Sequence, residues 1–537
     1  MSKPGKTILI LGGGVMQLPA IRIAREHNWR VIVADANAKA TGAELADIFL
    51  HVDLKDKEAM TEAAATFRRR GELDGVFTAG TDFSATVAWV AQELGLPGIP
   101  FDAAMRATDK SLMRGAFRGA GVPSPRFEMV RSSDEAESAL RRLSLPLVVK
   151  PVDNMGARGI RRIDDPSDLP LAVHGALDLS RSGKAIIEEY VAGPEYSIDA
   201  IVENGRITIC GVADRKIVFP PYFVEMGHTM PTLSPPEVVA EIVATFEKGV
   251  HALGITNGAA KGDVKLSADG PVIGEIAARL SGGFMSGWTY PYSSGIRPTE
   301  AAMKIAVGSP VGILRPRWHM VSAERAFISI PGVVSRIVGF EAGLQLPAVK
   351  EGFIRVAPGD RVRFPTNNVE KCGNFISQAD THSEAVWAAE EACRTTVIVL
   401  DPGDAETEAF LFGQADEWAP PAYRLEDHEL RARLEGLPVI IDGTNEGGGR
   451  LSIMPFPGIE TINSLDWHGR SLGRTLEIVQ NESGIPINAE GDVILGRVFW
   501  EAVLRGGVQG GLWVIDTIRR GLSERNHVQR LVTAWST

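Results

Sequence analysis

Cysteine is scarce. Only Cys210, Cys372 and Cys393 occur in 537 residues, with no paired spacing, so neither a disulfide framework nor a structural zinc site is expected and a reducing compartment fits. Uninterrupted apolar runs near the ~20 residues that span a bilayer are missing too, so no membrane partner is expected. Lys3 and Lys6 precede Thr7–Leu11, but that run is too short for a signal core and leads into glycines, which points to a cytoplasmic chain. Excess positive charge is also lacking. With 56 Lys and Arg against 67 Asp and Glu, the net charge is −11, which argues against an extended nucleic-acid surface. Solenoid-period repeats and low-complexity segments are not evident. What remains is a globular chain long enough for three or four domains.

Short β-branched runs alternate with helical patterns over the first hundred residues: Ile8–Leu11, Val31–Ala34, Ile48–Val52 and Gly75–Ala79 read as strands of a parallel α/β unit. Gly12-Gly13-Gly14 after the first strand and Asp35 at the end of the second superficially match a dinucleotide fingerprint. Gln17 stands where its third glycine belongs, so a plain tight strand-to-helix turn is expected instead. Gly5-Lys6-Thr7 precedes its strand and lacks the upstream glycine of a phosphate loop, so it is discarded. A helix-rich stretch over Phe101–Arg131 contains Gly121-Val122-Pro123-Ser124-Pro125 near its end, the mark of a boundary. Beyond it the chain reads as α+β. Strands are expected at Leu147–Pro151 and Ala185–Tyr190, a hairpin turn at Asn204-Gly205, a helix near Glu237–Leu253 and a strand pair around Asp269-Gly270. A helix is expected through Glu384–Thr396, with amphipathic stretches at Val498–Leu504 and Trp513–Arg520.

Several residue groups suit phosphate chemistry. Lys150 ends an apolar strand and is followed by the loop Asn154–Gly159; a cation facing backbone N–H groups suits an oxyanion, although a solvated strand terminus would read the same. Glu188-Glu189-Tyr190-Val191 with Glu195 links two strands, where backbone groups can meet a purine edge and a carboxylate a ribose, or where the acids simply meet solvent. The strongest local signal is Asp263 to Glu275. Folding that segment at Asp269-Gly270 brings its terminal carboxylates side by side, and two such oxygens repel each other unless a cation such as Mg²⁺ lies between them. Arg279-Leu-Ser-Gly-Gly283 follows at once, offering a guanidinium and flexible N–H groups to phosphoryl oxygens.

Taken in order, Asp109-Lys110, Gly121–Pro125, Lys150 with its loop, Glu188–Val191 with Glu195, Asp263 and Glu275-Ile-Ala-Ala-Arg279 resemble the ATP-grasp superfamily. The ending at Arg279, with Pro331-Gly332-Val333 and Gly359-Asp360, looks most like its L-amino-acid ligases, and the resemblance covers roughly residues 6 to 400. It implies an α/β and α+β multidomain chain: an ATP-grasp fold with an N-terminal Rossmann-like parallel α/β domain (1–100), a core at 101–321 with a small lid at about 126–191, an α+β module at 322–403 and an extra C-terminal domain at 404–537. Lys110 and Lys150 would meet the ATP phosphates, and the loop around Gly156 and Gly159 would close over the nucleotide and exclude water. Glu188, Glu189 and Val191 would hold adenine, Glu195 ribose, Asp263 and Glu275 magnesium, and Arg279 the transferring phosphoryl group.

Two departures stand out. Ala277 replaces a ligating asparagine, leaving the metal count open, and Asp263 follows Lys261 and Gly262 where these ligases usually have a histidine two residues before a glutamate. Lys261 is therefore a candidate for the acyl phosphate or second carboxylate, or a solvated lysine. Pro220–Thr229 reads as a proline- and aromatic-rich specificity loop ending near His228, which is an acid–base candidate or a packing residue. Ser281–Met285 and Trp288–Tyr292 read as an acceptor-side wall, although a buried aromatic cluster would read the same at the latter. The implied activity joins a small-molecule carboxylate to an amine through an acyl phosphate, with ATP and Mg²⁺ as cofactors. A carboxylate–thiol or carboxylase-like branch, a non-catalytic nucleotide-binding protein and a homodimer stay open.

Overall fold

The computed structural model describes residues 5–413, 418–442 and 449–523. Lys3 and the end of the expected C-terminal domain, 524–537, lie outside the described residues. The chain divides into two compact units. One runs through Glu324 and includes Gln378–Val386; the other holds Arg325–Ser377 and the chain from Trp387 onward. Among the described residues no helix is long and apolar enough to cross a membrane.

The first unit begins with four parallel strands, Thr7–Leu11, Arg30–Asp35, Ile48–His51 and Gly75–Phe77, ordered third, second, first, fourth. Their near-continuous apolar runs follow from burial on both faces. Ile8, Ile10, Val31 and Val33 enter one core, while Leu9, Leu11, Ile32 and Ala34 enter another. Two helices, Phe101–Thr108 and Lys110–Gly119, then meet at Asp109, whose Oδ1 accepts from Ser111 N at 2.8 Å and so caps the second. A four-stranded antiparallel sheet follows, made of Phe127–Val130, Leu147–Pro151, Arg161–Ile163 and Ala185–Glu189, all within the lid range read from sequence.

Five antiparallel strands build the floor of the site, in the order Gly270–Ala277, Gly258–Ser267, Glu195–Glu203, Arg206–Val218, Val224–Met230. The Asn204-Gly205 turn has φ values of 53° and 80°, the left-handed pair that a two-residue hairpin demands. One face carries Ile198, Ala200, Val264, Ile273 and Ile276, packed with Phe246 and Val250 of the Pro236–Leu253 helix. A side chain at Gly262 would stand 2.5 Å from the Phe246 ring, so the helix can lie this close only over glycine. Period-two alternation therefore sends Glu195, Ser197, Asp199, Lys261, Asp263 and Lys265 to the opposite face.

One expectation is corrected: the loop read over Pro220–Thr229 is half strand, since Val224–Met230 pairs with Arg206–Val218. The strand is buried almost throughout, so it lacks the polar–apolar alternation that marks an exposed one, and the two prolines before it obscure its start.

In the second unit, Gly332–Val338 pairs antiparallel with Val397–Leu400, and Val349–Ile354 with Gly373–Ser377. The chain beyond 404 is tied to this module by buried polar bonds. Arg470 donates to the carbonyls of Cys393, Arg394 and Thr396 at 3.1, 2.7 and 2.7 Å, and Gln509 donates to Ser329 Oγ and the Ile398 carbonyl at 2.7 and 2.8 Å. The two expected C-terminal helical stretches join as Arg497–Ser523, kinked at Gly507.

Candidate active site

The Asp263–Glu275 hairpin forms, with a bulge between Asp263 and Val264 that shifts its register by one residue. The two residues are direct partners in the antiparallel register, and direct partners share a face. Cations surround them. Lys110 Nζ lies 3.7 Å from Glu275 Oε2, Arg215 Nη1 lies 2.8 Å from Asp263 Oδ1, and Lys261 is hydrogen-bonded to Asp263. Burial alone would raise the Glu275 pKa, but Lys110, Lys261, Lys150 and Arg279 together bring it down to about 2. Glu275 is thus an ionised carboxylate with about a quarter of its side chain, 26%, open to solvent.

Among the described residues no cluster of three or more His, Cys, Asp or Glu side chains is placed to hold a metal alone. Two neighbouring carboxylates nevertheless fit magnesium, which is commonly held by one or two carboxylates with phosphate oxygens and water completing the octahedron. Asp263 Oδ1 is buried without a hydrogen bond of good geometry, as suits a ligand oxygen.

Lys150 projects from the lid strand into a buried charge chain. Its Nζ lies 2.6 Å from Glu188 Oε2, while Arg114 Nε donates to Glu188 Oε1 at 2.8 Å and Arg114 Nη2 to the Gly274 carbonyl at 2.6 Å. Burial draws the Lys150 ammonium below the usual lysine range against the pull of Glu188. Burial would likewise raise Glu188, yet Arg114 and Lys150 hold it below the usual glutamate range. Glu188, expected at adenine, is therefore placed inside the protein between two cations. Removing it leaves the fully buried Arg114 without its counter-charge. Glu188→Ala is accordingly expected to cost about 3–5 kcal/mol of stability, read as a lowered denaturation midpoint with an unchanged m-value.

The other expected nucleotide residues are also engaged within the protein. Glu189 accepts from Arg126 Nη1 at 3.0 Å and from Ser144 N at 2.9 Å. The Val191 carbonyl accepts from Lys265 Nζ at 3.1 Å, and Glu195 pairs with Arg215 and, at 3.6 Å, with Lys265. Lys110 Nζ donates to the Asn154 carbonyl at 2.9 Å, joining it to the glycine loop. Gly156 and Gly159 both have left-handed φ, 70° and 72°. Arg158 of the same loop reaches Asp82 Oδ2 at 2.9 Å, and Met155 Sδ lies 3.6 Å from Arg279 Nη2. His228 is fully buried, with Nε2 2.9 Å from Thr289 Oγ1 and Nδ1 3.4 Å from Glu324 Oε2. Tyr290 of the expected acceptor wall is buried as well.

The first domain reaches the same place. Gln17 Nε2 donates to the Ala79 carbonyl at 2.6 Å, and Gly80 N donates to the Leu280 carbonyl at 3.3 Å. A side chain on Gly80 would meet the Gly282 Cα at 2.9 Å. Gln17 thus braces a loop instead of leaving room for a pyrophosphate, and Asp35 accepts from Gly13 N at 2.7 Å, closing onto its own turn.

Residues 143–287 match the ATP-grasp domain model, and residues 326–401 match L-amino acid ligase C-terminal domain 2. The chain thus carries an ATP-grasp domain followed by a segment similar to the L-amino acid ligase C-terminal domain. The chain is 29% identical to human carnosine synthase 1 over 347 residues, covering 59% of the chain and 42% of that protein. It is 27% identical to alanine–anticapsin ligase of Bacillus subtilis, covering 42% of the chain and 53% of the relative. It therefore spans only about half the length of these relatives, or less. Among solved structures, the L-amino acid ligase of Bacillus licheniformis superposes with a TM-score of 0.65 at 23% identity, over 74% of this chain and all of that one. The ATP-grasp fold is common to both.

Three positions in or beside the candidate site escaped the sequence reading. Arg114 lies four residues after Lys110, on the same helix face. Asp199 lies four after Glu195, on the same strand face. Both periodicities were available as signals. Asp82, which pairs with the glycine loop across 76 residues, had none.

Proposed function

We propose that this protein is an ATP-dependent carboxylate–amine ligase acting on an amino acid or small peptide. The observation that carries the reading is the pairing of Asp263 with Glu275, ringed by Lys110, Lys150, Lys261 and Arg279. In this reading the substrate carboxylate oxygen attacks the γ-phosphorus of ATP, the β–γ bridging P–O bond breaks, and ADP leaves with the electron pair. The amine then attacks the acyl carbon, its surplus proton is lost, and phosphate departs.

Asp263 and Glu275 would hold magnesium, which would supply positive charge against the phosphates when bound. Lys110 and Lys150 meet the phosphates. Lys150 is kept in place by Glu188, so Glu188 acts by positioning. The hinge from Glu189 to Glu195 accommodates the nucleoside. Arg279, two residues before Ser281 and the glycines, meets the phosphoryl oxygens with its planar fork. The loop at Gly156–Gly159 excludes water from the acyl phosphate. Lys261, paired to Asp263, stands beside the acyl phosphate, and buried His228 shapes the wall from behind. Kinship to carnosine synthase 1 and alanine–anticapsin ligase supports amine acceptors over thiols.

Incubation with ATP, magnesium and pooled amino acids is expected to release ADP and phosphate together with a condensation product of matching mass. ADP formation with no amino-acid dependence and no new C–N product would overturn the assignment.

A further inference from the structure

The strand Glu195–Glu203 carries one buried carboxylate with no place in the scheme above. Asp199 is fully buried, and among the described residues every hydrogen bond to its oxygens comes from a single residue. Ser281 N donates to Oδ1 at 3.0 Å and to Oδ2 at 3.2 Å, and Ser281 Oγ donates to Oδ2 at 2.5 Å. The backbone of Asp199 is fixed in turn. Its N–H donates to Tyr290 Oη at 2.9 Å, and that hydroxyl donates to the Gly211 carbonyl at 3.1 Å. A side chain at Gly211 would stand 2.8 Å from the Tyr290 ring, so the arrangement depends on glycine there. Ser281 is held from its other side as well, because its carbonyl accepts from Ser286 Oγ at 2.8 Å.

We propose that Asp199 is a positioning residue: its clamp on Ser281 sets the backbone from Arg279 to Gly283 in the shape that presents Arg279 and the following N–H groups to the transferring phosphoryl group. The role rests on the ligase reading. A serine can be held by a neutral partner at far lower cost, since an ionised carboxylate is expensive to bury. The ionisable groups facing Asp199 are Lys261 on the neighbouring strand, Arg279, Cys210 and Tyr290. Burial pushes its pKa up, against the Ser281 bonds and the Lys261 and Arg279 charges, to about 6. The sign follows: an acid whose folded pKa is raised destabilises the fold increasingly as pH rises from its ordinary value through the raised one. Near neutrality the ionised Asp199 is therefore a stability cost, retained beside the reacting groups.

Asp199→Asn tests this on the full-length protein. Its amide keeps one acceptor for Ser281 N but sets an NH₂ where the second oxygen accepts from both Ser281 N and Ser281 Oγ, so the clamp is loosened as well as uncharged. Expected are a loss in kcat of roughly 10–100-fold, the range for residues that orient a reacting group, ATP affinity within about twofold by calorimetry, and a melting temperature near neutral pH equal to or above wild type. The wild-type kcat should fall as pH drops through about 6, and the variant should lack that limb. Unchanged kcat, or kcat, affinity and melting temperature falling together, would overturn the role. Should the asparagine variant not fold, Ser281→Ala removes the 2.5 Å bond alone and must show the same selective loss in kcat, or the role is refuted. Absence of wild-type turnover refutes the ligase reading and this role with it; a fully active variant beside an active wild type refutes only the role of Asp199.

Discussion

Arg279→Lys is expected to bind ATP almost normally while losing roughly 10²–10³ in kcat, the cost of one preorganised transition-state donor. A guanidinium presents two parallel donors to two phosphoryl oxygens; an ammonium keeps the charge but not the fork. Arg279 is 8% exposed, and its Nη1 is anchored to the Leu280 carbonyl at 2.8 Å, so its orientation is fixed before any substrate arrives. The ground state depends far less on it, because Lys110 and Lys150 stand around the same pocket. Single-turnover ADP formation measured beside equilibrium ATP binding separates the two effects. Equal losses in both would reduce Arg279 to a binding residue.

Glu275→Gln is expected to abolish turnover to at least the same degree, since an amide oxygen is a poor replacement for a charged magnesium ligand. It should also destabilise the ligand-free protein. The gap between an ordinary glutamate near 4.5 and about 2 corresponds to roughly 3 kcal/mol of interaction favouring the ionised form. For a depressed folded pKa, that contribution is fully present above pH 4.5 and fades as pH falls through about 2. Wild type and variant should therefore differ in denaturant midpoint near neutrality and converge in acid. A variant with unaltered phosphate release would remove Glu275 from the metal site.

Much of this was legible in the residue order. The two strands flanking the turn after Ser267 were legible as a hairpin, but the register set by that turn would place Asp263 opposite Gly274, and it is a one-residue bulge between Asp263 and Val264 that places it opposite Glu275. The parallel sheet was readable from apolar runs covered on both sides. Side-chain partnerships were less accessible. Glu188 sits in a motif that reads as a nucleotide contact, yet its carboxylate turns inward, because Arg114 approaches from a helix 74 residues away. His228 reads as a loop residue until neighbouring strands bury it. Local pattern sets the element and the face; which charge meets which depends on helices and strands that no short window contains.

Arg215 carries a consequence for how substitutions combine. Its guanidinium is hydrogen-bonded to Glu195, lies 2.8 Å from Glu225 and 2.8 Å from Asp263, so a residue proposed for the nucleoside and one proposed for the metal have this counter-ion in common, beside Lys265 and Lys261 of their own. Loss of either carboxylate frees that cation to lean toward the other. Residues in one ion network couple by 0.5–3 kcal/mol in either sign, by rough measure. Effects at Glu195 and Asp263 are therefore not additive, and a double-mutant cycle, rather than either single substitution, is the unit in which this half of the pocket has to be read.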